Sequence, residues 1–327
     1  MNSITHFLWL NEVQKRLPLP GEMEKEFYRL KAGDEGEQFV VSMLKQFGEP
    51  HWKILTNVWL KYNGHFECDI VVLTREGIYI FEVKNYTGHF EFKDMKCFLN
   101  GHPIGFNPIN QAQYTHTNFA NLIEAELLTK NVRGALVFVG EHNTVKIHNN
   151  ISGIKVVMRN ELRNFIWEMA KQERDYYGET LELVSCLDLF QSYSTENIFK
   201  PDPITEEMQA QLQRGICCSS CSSFNIDMFK SYIQCACGMA EPRENAIVRS
   251  ICEYGVIHFD KDLVTRDICV FFANQVSRNT ILKYLKKHFT QIGHNRTTVY
   301  YNSALPFKEI SKEFNLPLKR TLRIDYY

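Results

Sequence analysis

Asp69-Ile-Val-Val-Leu73, a turn at Thr74 to Gly77, then Ile78-Tyr-Ile-Phe-Glu82-Val-Lys84: this stretch decides how the N-terminal half is read. Ile70 to Leu73 and Ile78 to Phe81 are nearly all apolar, which suits strands buried on both faces. The short connection between them makes them neighbours. Successive side chains on a strand point to opposite faces, so Glu82 and Lys84 share one face while Val83 turns away. Asp69, at the start of the first strand, can then come beside Glu82 at the same end of the sheet. Two carboxylates and a lysine converge on one spot.

That set suits phosphodiester hydrolysis. Carboxylate oxygens are hard ligands, and Mg²⁺ (or Mn²⁺) binds through one or two of them plus water and substrate phosphate. The metal lowers the pKa of a bound water and offsets charge growing on the phosphate. Lys84 could position or deprotonate the attacking water, or neutralise the phosphate oxygens, and the sequence does not separate these roles. The plain alternative is a solvated Glu-x-Lys ion pair worth little. Charges at the end of a doubly buried strand weigh against it, because uncompensated burial is costly.

Outward from this stretch, Gly33 to Phe47 carries Phe39, Val40, Met43, Leu44 and Phe47 at helical spacing, ended by Gly48 and Pro50. Trp52 to Leu60, Phe66 to Leu73 and Gly77 to Val83 read as strands, and Phe90 to Leu99 as a hairpin. Asn107 to Leu128 reads as a helix with Pro108 in its first turn, where proline is tolerated. Ala135 to Val139 and Ile154 to Met158 follow as strands, and Asn160 to Ala170 as a helix. The order predicts an α/β fold around a central mixed sheet.

Four ordered motifs carry a family resemblance: Gly33-Asp-Glu-Gly-Glu37, Asp69-Ile-Val-Val, Ile-Phe-Glu82-Val-Lys84-Asn-Tyr-Thr-Gly88, and Asn107-Pro-Ile-Asn-Gln111. Together, over about residues 30 to 150, they resemble the nuclease-related domain, NERD, of the restriction-endonuclease-like PD-(D/E)XK superfamily. The resemblance implies an αβββαβ core. It implies a catalytic set of Glu37, Asp69, Glu82, Lys84 and Gln111, with Asp69 and Glu82 holding the metal, Glu37 the acidic residue of the first helix, and Gln111 a polar residue of the second. Cys68 stands where the superfamily's short motif has proline. For Glu37 the competing reading is a first-turn acid favourable to the helix dipole, and for Gln111 a surface helix residue. The activity implied is that of a Mg²⁺-dependent deoxyribonuclease, an endonuclease, in DNA processing or defence against foreign DNA.

The chain carries ten cysteines; Cys217, Cys218, Cys221, Cys235 and Cys237 fall within 21 positions, while Cys68, Cys97 and Cys186 are scattered. Cys218-x-x-Cys221 and Cys235-x-Cys237-Gly238 have the two-knuckle arrangement of a zinc ribbon, four thiolates around one structural Zn²⁺. Cys217 could replace Cys218 as ligand. Phe224, Phe229 and Tyr232 lie between the knuckles, where a hairpin would form. A module this small would draw its folding energy from the metal.

Beyond the ribbon, Leu263 to Ala273 and Arg278 to Phe289 read as helices, with Ser277 as the second one's N-cap. Ile281, Leu285 and Phe289 form its apolar stripe, and Arg278, Lys283, Lys286 and Lys287 lie on the rest. Thr290 to Ile292 and Thr297 to Tyr301 flank Gly293-His-Asn-Arg296 as a wing. This is the order of a winged helix-turn-helix, whose second helix would enter the major groove, with Arg278, Lys283, Lys286, Lys287 and Arg296 as nucleic-acid contacts. The competing reading is an amphipathic pair with solvated charges.

The bulk numbers frame these readings. The 327 residues are 44% hydrophobic and 23% charged, an ordinary globular composition, and the formal net charge is −1. Residues 242–327 hold 14 Lys or Arg against 8 Asp or Glu, which gives +6 there and −7 elsewhere. That polarity points the C-terminal part toward an anionic partner, DNA. No apolar run reaches membrane-spanning length, and the first residues lack the pattern of a secretory signal. A cytosolic protein with reduced thiols is expected. The expected organisation is an N-terminal helical extension (1–30), a nuclease-like domain (31–190), a polar linker (191–213), the zinc ribbon (214–242) and a winged-helix-like module (243–327). The rival functions are a non-catalytic DNA-binding or regulatory protein on a nuclease fold, and an interaction protein whose ribbon docks a protein partner. A double-strand cutter with one active site per chain would need to work as a homodimer.

Overall fold

The computed structural model of the chain describes residues 5–93, 96–127, 131–148, 153–178, 180, 182–294 and 297–307. In chain order, α1 (His6–Gln14) and the long α2 (Gly21–Phe47) precede β1 (Lys53–Lys61), β2 (His65–Leu73) and β3 (Gly77–Lys84). Then come β4 (Gly88–Lys93), β5 (Lys96–Leu99), β6 (His102–Ile104), α3 (Pro108–Leu127), β7 (Asn131–Phe138), β8 (Asn143–Ile147) and β9 (Ile154–Met158). Helices α4 (Leu162–Arg174), α5 (Leu183–Tyr193) and α6 (Glu206–Gln211) lead to β10 (Ile226–Met228), β11 (Tyr232–Cys235) and β12 (Ala240–Pro242). The chain continues through α7 (Arg243–Ile257), α8 (Thr265–Phe271), α9 (Arg278–His288), β13 (Gln291–Ile292) and β14 (Val299–Tyr300). Among the described residues it divides into two compact units, 28–196 and 5–27 with 197–307, the division falling within α2.

The first unit is built on a five-stranded mixed sheet in the order β1-β2-β3-β7-β9. β1, β2 and β3 pair antiparallel, and β3–β7 and β7–β9 are parallel. The apolar runs expected to be buried on both faces are so buried. Ile70, Val72, Tyr79 and Phe81 pack with Val40 and Leu44 of α2 and Phe165, Ile166 and Met169 of α4. Val71, Leu73, Ile78 and Ile80 pack with Phe119, Leu122 and Ile123 of α3 and Leu187 and Phe190 of α5. A smaller sheet, β6-β5-β4-β8, adds Phe90, Phe92 and Cys97 to a third cluster with Leu136 and Phe138.

α2 starts at Gly21, twelve residues before the helix expected from the periodicity of Phe39 to Phe47. Pro18 and Pro20 precede it, and Gly33 and Gly36 lie inside it. The helix tolerates Gly36 for a packing reason: a Cβ there would lie 2.8 Å from the Cβ of Asn85 and 3.1 Å from Val139. The missing side chain lets α2 approach the end of β3 closely.

In the second unit, α7, a bridge at Leu263, α8, α9 and the β13–β14 hairpin follow one another, and Leu263 pairs with Tyr300. This is the element order of a winged helix. Ser277 caps α9, its hydroxyl accepting from the Thr280 N–H at 3.3 Å. α7 had no counterpart in the sequence reading. Residues Ala246 to Ile257 of α7 are almost all buried. α1 packs on α7, with the Trp9 indole donating to the Ile257 carbonyl at 3.1 Å and Arg16 paired with buried Glu253 at 2.7 Å.

His258, which caps the C-terminus of α7, is 2% exposed and its Nδ1 has no hydrogen-bond partner among the described residues. Burial, with Lys261 adding to it, pushes the imidazole down to about 4 from an ordinary value of 6.5. A base depressed in the fold takes up its proton only in the unfolded chain between those two values, so stability falls as pH drops through that window. Between pH 7.5 and 5 the unit should lose about 2 kcal/mol through this residue, at 1.36 kcal/mol per unit. Urea unfolding of the chain and of His258→Leu at both pH values should show that difference vanish in the variant.

Candidate active site and zinc site

The strand register brings Asp69 and Glu82 together. β2 and β3 pair Ile70 with Phe81, so the next residue pair is Asp69 and Glu82, and the Asp69 Oδ2 accepts from the Val83 N–H at 2.7 Å. The alternation of β2 slips at this point: Phe66 and Cys68 share a core with Val71 and Leu73. Asn57 lies opposite, between the pairs Thr56–Ile70 and Val58–Cys68, with φ +52, a left-handed conformation asparagine tolerates. Such a local break in a strand pair re-aims side chains, here at the end where the charges gather.

The Lys84 Nζ donates to Glu82 Oε1 at 2.5 Å and to Gln111 Oε1 at 3.2 Å. Glu82 is 4% exposed and also bonds the Gln111 side chain. Gln111 is delivered by the first turns of α3, whose start is written in Asn107-Pro108: the Asn107 side chain accepts from the N–H groups of Ile109 and Asn110 at 3.0 and 3.4 Å. Glu37 arrives from α2, where Asn85 donates to the Ala32 carbonyl at 2.8 Å and Gly36 allows the close approach.

The electrostatics show the crowding. Burial, then the charge of Asp69, pushes Glu82 up to about 7 against the pull of Lys84 and Gln111. Glu37 is pushed up to about 9 by burial, Asp69 and Glu67. Burial raises Asp69 too, opposed by Lys84 and the Val83 N–H. For Lys84 burial works against the charge, but Glu82 and Asp69 outweigh it and the ammonium is favoured.

Glu67 belongs to this group and was not among the residues singled out from the sequence. Burial, Asp69 and Glu82 push it up to about 8, opposed by a hydrogen bond from the Trp59 side chain, its cross-strand neighbour. The signal that could have found it is the Glu67-x-Asp69 spacing on one strand. The five expected residues Glu37, Asp69, Glu82, Lys84 and Gln111 interact with one another, and Glu67 makes a sixth. Their donor set suits a hard divalent cation held by one or two carboxylates and water.

In the second unit it is Cys218, and not Cys217, that the fold groups with the other three thiols. The thiols of Cys218, Cys221, Cys235 and Cys237 lie within 4.8 Å of one another, the one such group of three or more ligands among the described residues. Cys218–Cys237 and Cys221–Cys235 are 3.7 and 3.6 Å apart, close to the roughly 3.8 Å edge of a tetrahedron with Zn–S near 2.3 Å. Ser222 and Gly238, each just after a knuckle, adopt φ +58 and +91 and let the chain turn. Cys217 points instead into a buried cluster of Arg16, Arg249 and Glu253. The four cysteines are consistent with a zinc ribbon. Contrary to expectation, the ribbon has apolar support besides the metal: Ile233 is buried, and β11 and β12 pack on α7.

Of the cationic residues on α9, Arg278, Lys283, Lys286 and Lys287 are all exposed. Lys287 pairs with Glu244 at 2.7 Å, and Lys283 lies 5.4 Å over the Tyr284 ring. Arg278 and Lys286 make no ion pair among the described residues. Arg296 lies outside the described residues.

A mixed sheet flanked by helices, with acidic residues and a lysine gathered where the pairing of β2 with β3 ends, is the framework of a nuclease-like α/β domain. Residues 32–139 match the family model described as nuclease-related domain, NERD. That span holds Glu37, Glu67, Asp69, Glu82, Lys84 and Gln111. No curated protein matches the chain, and no solved structure does. No helix among the described residues is long and apolar enough to cross a membrane.

Proposed function

We propose that the chain is a Mg²⁺- or Mn²⁺-dependent deoxyribonuclease acting as an endonuclease, suited to DNA processing or defence against foreign DNA. The observation that carries this reading is the side-by-side placement of Asp69 and Glu82 with Lys84, inside the segment that matches a nuclease-related domain. Asp69 and Glu82 would hold the metal. When bound, the metal supplies an acidified water and charge compensation on the phosphate. An ammonium has three donors, and Lys84 spends two on Glu82 and Gln111, which leaves one for a phosphate oxygen or the attacking water. Gln111 fixes the reach of Lys84. Glu37 and Glu67, pushed up to about 9 and about 8 by burial and their acidic neighbours, are protonated near neutral pH in the metal-free chain, and a divalent cation beside them would favour their ionised forms more than a monovalent one.

Plasmid digestion with Mg²⁺, with EDTA, and with Lys84→Ala tests this. Cleavage should require the metal and fall at least about a hundredfold in the variant, the size of effect seen when one charge-stabilising donor is removed. Cleavage that survives in Lys84→Ala would place the active site elsewhere.

The winged-helix element order, and Arg278 and Lys286 with no ion pair among the described residues, support DNA gripping by α9. Lys283→Glu with Lys286→Glu should weaken duplex binding and lower the slope of log affinity against log salt by about 2, one phosphate contact per lysine. Lys287→Glu should do less, since Glu244 already neutralises that lysine. Filter binding over a salt series reads both. An unchanged slope would leave the α9 charges merely solvated and favour a protein-docking role for this half of the chain.

A further inference from the structure

The hairpin that carries Cys235 has a feature that neither the four thiols nor α9 explains. Phe229 and Tyr232 close the β10–β11 turn, with the Phe229 N–H donating to the Tyr232 carbonyl at 2.9 Å. Asp227 faces Gln234 in the register, so Asp227, Phe229, Tyr232 and Gln234 share one face of the small sheet, alternate to Ile233 and Cys235, which are buried. On that face the two rings stack with centroids 4.6 Å apart and planes 17° from parallel. They are nevertheless 43% and 39% exposed. One exposed cation adjoins them at the turn, and a second begins α7 one residue past β12. Lys230 is exposed at the tip between the rings and has no ion-pair partner among the described residues. Arg243 follows Pro242, the register partner of Tyr232, and its N–H donates to the Ser231 carbonyl at 3.0 Å. Its guanidinium also lacks an ion pair among the described residues, and its buried Nε has no hydrogen-bond partner. Asp227 is the one acid on the face.

We infer that this hairpin is a stacking platform for single-stranded nucleic acid. A flat, exposed aromatic pair accepts a base on its free surface without regard to sequence, and flanking cations hold the adjoining phosphates. Charge selects the occupant: the exposed Lys230, with no ion pair among the described residues, beside exposed rings suits a polyanion with planar bases better than an apolar protein surface. The single strand would be a segment separate from the duplex offered to α9, so the chain would favour substrates with a single-stranded tail or gap. This deepens the nucleic-acid reading above and rests on it for the class of partner. Binding measured without Mg²⁺ does not depend on hydrolysis, so either reading can fail alone.

The test uses the full chain with Phe229→Leu and Tyr232→Leu together, which keep apolar cover on the hairpin but remove the rings. The probes are a single-stranded oligonucleotide of about 15 nucleotides carrying 2-aminopurine, and a blunt duplex of the same length. Single-strand affinity should fall at least about tenfold, the 2-aminopurine emission change on binding should disappear, and duplex affinity and zinc content should hold. Lys230→Glu, at a tip with no partner to lose, should also weaken single-strand binding. Unchanged single-strand affinity in both variants would overturn the proposal and turn the pair toward a protein partner. An equal loss on duplex and single strand would overturn it as well, since stacking would then not be the contact.

Discussion

Asp69→Asn is expected to lower Mg²⁺-dependent cleavage by two to three orders of magnitude, and at the same time to make the metal-free chain more stable. The first effect follows from removing one of two carboxylates that would hold the metal, with a cost of about the size measured for lost charge-stabilising groups in enzyme sites. The second follows from the crowding where the β2–β3 pairing ends. Asp69 raises Glu37, Glu67 and Glu82, and all three carry the burden of burial as well. An amide at the same place keeps an oxygen for the Val83 N–H but removes the charge its neighbours repel. A single stabilising substitution commonly returns about 0.5–2 kcal/mol, or about 2–4 °C per kcal/mol in a domain of this size.

The two readouts separate function from structure. Thermal melts without divalent cation should show the variant above the natural chain. Melts with Mg²⁺ should raise the natural chain, by mass action on a site the folded state alone offers, and leave the variant where it was. A variant that loses both activity and stability would make Asp69 a structural acceptor for Val83 and nothing more. Activity within tenfold of the natural chain would remove it from the metal site.

How much of this was legible before the structure depends on burial. Ile70 to Leu73 and Ile78 to Phe81 could be read because both faces of the sheet are covered, so no polar residue interrupts them. Asp69, Glu82 and Lys84 then stood out as charges at the ends of apolar runs. Glu67 did not stand out, because it sits in the mixed half of β2, before the slip at Asp69, where an acid reads as a solvated strand residue. α7 was missed for the opposite reason: it is buried nearly all round, including Ser250 and Glu253, so it has no polar stripe to give a helical period. α8 begins at Thr265 and not at Leu263, since Leu263 is used in the bridge to Tyr300. Pairing over long sequence distances leaves no local mark. The choice between Cys217 and Cys218 was of that kind, because it depended on Arg16 and Glu253 reaching the same place from residues far apart in the chain.

That choice makes the second large effect. Cys235→Ser should abolish zinc binding, taking the metal content of purified protein from about one per chain to none, whereas Cys217→Ser should leave it unchanged. Cys235 is one of four thiols at tetrahedral separations, and a serine hydroxyl is a far poorer zinc ligand than a thiolate. Loss of the ion should unfold the β10–β12 hairpins, since metal binding supplies much of the folding free energy of such modules. The damage should stop short of the whole unit, because α7 supports β11 and β12 through Ile233 and through Arg249, which pairs with Glu241 at 3.0 Å. Cys217→Ser acts differently. Its thiol touches Arg16, Arg249 and Glu253 but no other cysteine thiol, so the variant should keep its zinc and lose only packing, about 1 kcal/mol. Metal analysis and limited proteolysis around residues 222–240 check both. Zinc lost in Cys217→Ser would move the ligand set by one residue, and zinc retained in Cys235→Ser would take Cys235 out of it; either would change the knuckle geometry that positions the Phe229–Tyr232 pair.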